Sequence, residues 1–213
     1  MCAYPATVDQ IVEAATAVVQ TGGYNSFSYA DIADAVGIRK ASIHHHFPAK
    51  SDLGEEVARR YRQRFAEALN DIELKTDDAV LRLERYADLY ARQVSQHGRM
   101  CLCGMLAAEY ATLPAGIQDE VRGFFDEQRE WLARTLSGDR RPHTEARRLA
   151  DAFLAGLEGA LLVSRTDGST ARFRSIARVL IDGLIQPPSP AGHSESRPRS
   201  ARTDRVPLMR QRP

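Results

Sequence analysis

The sequence predicts an all-α protein, with a small N-terminal unit of three helices ahead of a larger C-terminal bundle. Three observations carry this. Apolar residues recur at three- and four-residue spacing along almost the whole chain, no run alternates between hairpin turns as strands do, and no repeat of solenoid period is present. Hydrophobic residues make up 43% and charged residues 27%, an ordinary globular balance. No apolar run reaches the ~18 residues of a membrane span, so no membrane partner is expected. The opening MCAYPATVDQ lacks the basic and apolar regions of a secretory signal, so the cytoplasm is the expected compartment. Three cysteines, Cys2, Cys101 and Cys103, are too few for a disulfide scaffold.

The first helix carries Val8, Ile11, Val12, Ala15, Val18 and Val19 on one side; Thr7 and Gln10 have capping-box spacing, and Gly22-Gly23 close it. Ser28 caps a brief second helix with Ile32, Ala33 and Val36 inward, Asp31 at the capping-box position and Gly37 as its stop. A third short helix ends before Pro48. Residues 50–72 repeat Leu53, Val57, Tyr61, Phe65 and Leu69. Thr76 is the expected cap of the next helix, which runs to Gly98. A short segment reaches Pro114, and helices follow over 115–137, 144–165 and 170–185.

The tail 187–213 is rich in Pro, Ser and Arg and poor in apolar residues, which predicts disorder. Its six arginines face only Glu195 and Asp204, so the body of this +1 chain is net acidic and any nucleic-acid contact needs a focused basic patch. The expected division is 1–52, 53–186 and 187–213, with the helix 50–72 as the link.

Two short helices joined by a glycine turn, with a third packed behind, describe a helix-turn-helix. In "RKASIHHHFPAK" (39–50), Ile43 and Phe47 form an inward face four residues apart. Arg39, Lys40, Ser42, His44 and His45 form an outward face of donors, with Ala41 as a small contact. The run His44-His45-His46 invites a metal reading. Successive helical residues point about 100° apart, so three adjacent imidazoles cannot converge on one ion. No carboxylate or cysteine stands at i±3 or i±4 to complete a pair, so neither metal nor cofactor is expected.

The stretch "FSYADIADAVGIRKASIHHHFPAKSDL" resembles the DNA-binding signature of the TetR family of bacterial transcriptional regulators. The matching features are Ser28, Ile32-Ala33, Val36-Gly37-Ile38, the run ending in Phe47, and Lys50; the resemblance covers about residues 8–55. It implies phosphate contacts from Ser28, Tyr29 and Lys50, and positions near base edges for Arg39, Lys40 and His44. His45 and His46 fall where the family often has His and Tyr, the second meeting the DNA backbone. Arg39 and Ala49 depart from the small cap and the serine usual at their positions. The implied partners are double-stranded, palindromic operator DNA, a second copy of the chain and a small-molecule effector.

The C-terminal part is accordingly expected to be a ligand-binding and dimerisation bundle. Aromatic and Met residues at helical spacing are usually core, and a pocket is expected around Tyr86, Tyr90, Met100, Met105, Phe124 and Trp131, with Cys101 and Cys103 beside it. Two residues apart, these cysteines suit neither an intrahelical disulfide nor a shared metal. His97, Arg99 and a helix start could lower a thiol pKa, which keeps an electrophile- or oxidant-sensing role open beside buried packing. The last two helices place small residues among Leu and Ile: Ala152, Phe153, Gly156, Leu157, Gly159, Ala160, Ile176, Val179, Leu180 and Gly183 are the expected dimer contacts. An enzyme centred on the cysteines and His97 has no legible nucleophile, base and orienter, so no catalytic residue is assigned. A nonspecific architectural DNA binder is the remaining competitor, distinguishable by a low specificity ratio.

Overall fold

The computed structural model describes residues 4–95, 99–137 and 141–185. Among these it contains nine α-helices and no strand. They are α1 (Tyr4–Gly22), α2 (Tyr29–Val36), α3 (Lys40–His46), α4 (Lys50–Lys75), α5 (Ala79–Ser95), α6 (Leu102–Ala108), α7 (Ala115–Leu136), α8 (His143–Arg165) and α9 (Thr170–Ile185), with a 3-10 turn at Tyr110–Thr112. The tail, Cys2 and His97 lie outside the described residues.

Local signals explain most boundaries. Ser28 and Asp31 form a reciprocal capping box at the start of α2, and Gly37 ends it with φ +74°, a left-handed conformation that costs glycine nothing. Two caps differ from expectation. Helix α1 begins at Tyr4, so Thr7 is not at its start. Asp78, whose carboxylate accepts the Leu81 N–H at 2.9 Å, caps α5, while Thr76 ends α4.

Helix α4 packs on α1 at one end and on α7 further along, and α7, α8, α9 and α5 pack around a single apolar core. The two ends meet at Gly54, where an added Cβ would lie 2.6 Å from both Tyr24 and Ile117. No described helix is long and apolar enough to cross a membrane.

Candidate nucleic-acid interface and bundle interior

The short helix α3 holds its shape through its inward face. Ile43 is fully buried and Phe47 nearly so, which leaves Arg39, Lys40, Ala41, His44 and His45 exposed and Ser42 and His46 half-exposed. One side of a seven-residue helix therefore carries cationic and hydroxyl donors around a small residue, a combination that admits base edges. The His45 and His46 rings meet edge to face at 5.4 Å. Among the described residues, no three His, Cys, Asp or Glu side chains gather as a metal site would require.

Three residues near this face are placed in ways the sequence did not reveal. Tyr29 is buried, with its hydroxyl 2.8 Å from the Phe47 carbonyl and 2.6 Å from the Ala49 carbonyl. Burial, with the Asp52 charge next, pushes its phenol up to about 12, so it stays a donor. Its proton thus serves the α3–α4 corner rather than a phosphate, and its ring meets His44 edge to face at 4.7 Å. Lys50 lays its Nζ over the rings of Tyr24 and Phe27, at 4.6 and 4.4 Å. Burial lowers its pKa, against the opposing pull of Glu109 and Asp31. Ser28 is exposed, but its hydroxyl donates to Asp31 at 2.8 Å. Arg39 precedes α3 without any side-chain cap.

Helix α6 ties this unit to the bundle. The Glu109 carboxylate accepts the Tyr24 N–H at 2.6 Å and the Asn25 N–H at 3.3 Å. Gly23 permits the approach twice over: its φ is +86°, and a Cβ there would sit 2.7 Å from Glu109 Oε1. Arg165 donates to the Thr21 carbonyl at 2.7 Å. The Met100 N–H donates to the Gln20 carbonyl at 3.0 Å and its carbonyl accepts from the Gln20 side-chain amide at 3.1 Å, so its backbone belongs to this joint.

Inside the bundle, Tyr86, Tyr90, Phe124 and Trp131 do come together, joined by Phe65, Tyr61 and Phe153. Tyr86 stacks on Trp131 at 5.5 Å and 16°, and the Tyr86 and Tyr90 hydroxyls lie 3.5 Å apart. Met105 stands aside, half-buried near Arg165. Cys101 caps α6, its sulfur 3.4 Å from the Gly104 N–H, and both Cys101 and Cys103 are fully buried. Burial, reinforced by the Glu158 charge, pushes both thiols well up, opposite to the lowering that a reactive thiolate needs. Glu158 was missed. It faces Cys101 and Tyr90, and burial raises its pKa to about 7. The available signal was its isolation as the one charge in AFLAGLEGALLV.

The expected dimer contacts divide by helical phase. Phe153, Leu157 and Ala160 are buried within the single chain, so they are core and not a partner surface. Ala152, Gly159, Val179 and Gly183 are exposed, with Gly156, Ile176 and Leu180 partly so. Leu162 (59% exposed), Val163 (49%) and Ile185 (45%) extend the strip, and Val179 reaches 69%.

Comparison with known proteins is consistent with this geometry. Residues 11–57 match the family described as "Bacterial regulatory proteins, tetR family". Residues 79–179 match "Transcriptional regulator LmrA/YxaF-like, C-terminal domain". A TetR-family transcriptional regulator from Agrobacterium tumefaciens is 34% identical, with a TM-score of 0.77 over 84% of this chain and 97% of that one. The chain belongs to the TetR family. A TetR transcriptional regulator from Legionella pneumophila is 33% identical, with a TM-score of 0.80 and the same coverage. The regulatory protein TetR from Rhodobacter sphaeroides is 25% identical, with a TM-score of 0.72 over 82% of this chain and 96% of that one. No curated protein sequence matches the chain. As a TetR-family regulator, the protein is a DNA-binding regulator of transcription, and α2–α3 is its helix-turn-helix.

Proposed function

We propose that the protein is a homodimeric repressor that reads a palindromic operator through α3 and is released when a small molecule enters the bundle. The observation that carries this reading is the exposed face of α3, with Lys40, Ala41 and His44 presented outward while Ile43 anchors the helix. Arg39 and Lys40 donate to base edges, and His45, His46, Ser28 and Lys50 contribute to the phosphate side. The exposed strip of α8 and α9, rich in Leu, Val and Ile, is the face on which a second copy packs, matching two α3 helices to two half-sites.

Selection of bound sites from random DNA tests this. The expected result is a palindrome with a strong preference over unrelated sequence; uniform affinity would instead mean an architectural binder. On the selected site, Lys40→Ala relaxes base preference, whereas Lys50→Ala weakens all sequences alike. Equal effects of both on sequence choice would overturn the assignment. The cysteine-sensing alternative has burial against it. Cys101→Ser with Cys103→Ser is expected to leave effector-driven release intact, and loss of that release would revive it.

A further inference from the structure

Glu158 lies where α8 meets α6. Its Oε2 is 2.6 Å from the place a Cβ on Gly104 would occupy, so the carboxylate in this position lies directly against the bare backbone of α6. Its Oε1 is shielded from solvent and has no hydrogen-bond partner among the described residues. The groups that engage it, the Cys101 thiol and the Tyr90 hydroxyl, are neutral, and among the described residues no Lys, Arg or His acts on it. The residue as a whole is only half-buried, but a carboxylate oxygen shielded in this way without a counter-charge is costly.

The rings around it share one polarity. Tyr86, Tyr90 and Trp131 present ring faces, whose quadrupole is negative. On one face of α7, at i, i+3 and i+7, Gln128 Oε1, Trp131 Nε1 and Thr135 Oγ1 are buried without partners. The orphaned oxygens of Glu158 and Gln128 are acceptors and call for a donor or a positive charge. An outer groove between α4 and α7 reaches Trp131 from the surface, and its lining holds Glu73, Glu127 and Glu130 against one cation, Arg134.

We propose that the bundle interior binds an organic monocation, an amine or quaternary ammonium of modest apolar bulk, with Glu158 as counter-ion and Tyr86, Tyr90 and Trp131 around the charge. This rests on the reading of the bundle as the effector-binding part. Tyr86 stacks on Trp131 in the unliganded chain, so entry of the cation parts these rings.

Trp131 is the chain's single tryptophan, so its emission reports the site directly. The full-length protein is titrated with phenyltrimethylammonium, with N,N-dimethylbenzylamine, and with tert-butylbenzene, the uncharged isostere of the first. Both cations are expected to give a saturable change in emission, with the isostere at least about tenfold weaker. Response to only one cation narrows the class to quaternary ions or to amines. Glu158→Gln, close to isosteric, is expected to weaken cation binding at least about tenfold. The charge of phenyltrimethylammonium does not titrate, yet its binding is expected to fall between about pH 8 and pH 6 as Glu158 takes up a proton. Among the described residues, the other titratable groups facing Glu158 are Tyr86 and Tyr90 from α5, Cys101 at the cap of α6 and Cys103 within it, all held neutral by burial. Beyond Cys103, Glu120 and Arg62 pair with each other at 3.1 Å.

Isostere binding within about twofold of the cation, unchanged binding in Glu158→Gln, or no saturable response to either cation would each overturn the proposal. Release from the selected operator is measured separately. Cation binding without release keeps the cation site and removes its role as effector site. Absence of any preferred DNA site overturns the regulator reading and leaves the titration standing.

Discussion

The reading unit and the bundle treat their buried polar groups in opposite ways. In the first, the buried Tyr29 hydroxyl meets two carbonyls, and even the exposed caps are bonded: Ser28 and Asp31 satisfy each other and the Ala49 N–H donates to Asp52 at 2.9 Å. In the second, buried atoms of Arg85, Gln128, Trp131, Thr135, Glu158 and Ser164 have no hydrogen-bond partner among the described residues. All six belong to α5, α7 or α8, and none to α1–α3. A fully bonded unit has one geometry, as a protein that matches a fixed DNA surface requires. An interior with unmet donors and acceptors keeps polar groups that its own packing does not use, which is what the proposed ligand site would draw on.

The sharpest way to break this contrast is through Glu158. Its folded pKa of about 7 lies above the ordinary glutamate value of 4.5, so the folded state holds the proton more tightly. The associated stability is fully present below about pH 4.5 and is lost as pH rises through about 7, a change of up to roughly 3 kcal/mol. Urea melts across this range should show that slope in the native protein and its absence in Glu158→Gln. Next comes Tyr29→Phe, which strips a donor from two carbonyls near the α3–α4 corner. A loss of about 1–3 kcal/mol in chemical denaturation is expected, with weaker operator binding. Glu109→Ala removes the acceptor for two backbone N–H groups and should cost about 1–2 kcal/mol. The smallest effect has the opposite sign. Thr135→Val replaces an unpartnered hydroxyl with a methyl and is expected to leave stability unchanged or raise it by less than about 1 kcal/mol. A loss as large as that of Tyr29→Phe would show that the bundle's polar atoms are bonded after all.

The sequence was most legible where the determinants are local. Ser28, Asp31 and Gly37 lie within ten residues of one another, and their spacing alone states a capped helix and its stop. Ile43 and Phe47 declare an inward face in the same way. Tyr29, given a phosphate role by the resemblance, has its ring turned inward beside the exposed Ser28, to carbonyls eighteen and twenty residues away that no local pattern announces. Glu158 was illegible for a similar reason, since Tyr90, Cys101 and Gly104 reach it from other helices. On α8, composition named small and apolar residues without saying which faced a partner. Phase decides it, with Phe153, Leu157 and Ala160 turned in and Gly159, Leu162 and Val163 turned out.

The corner held by Tyr29 has one more consequence. Because its hydroxyl binds carbonyls on both sides of Pro48, α3 and α4 are joined as a stiff elbow. The 26 residues of α4 make an arm of about 39 Å. Over such an arm, a tilt of about 5° moves the far end by about 3.4 Å, the rise of one base pair. In the repressor proposed above, leverage of this order is what would turn a rearrangement of a ring or two in the bundle into a change of register on DNA.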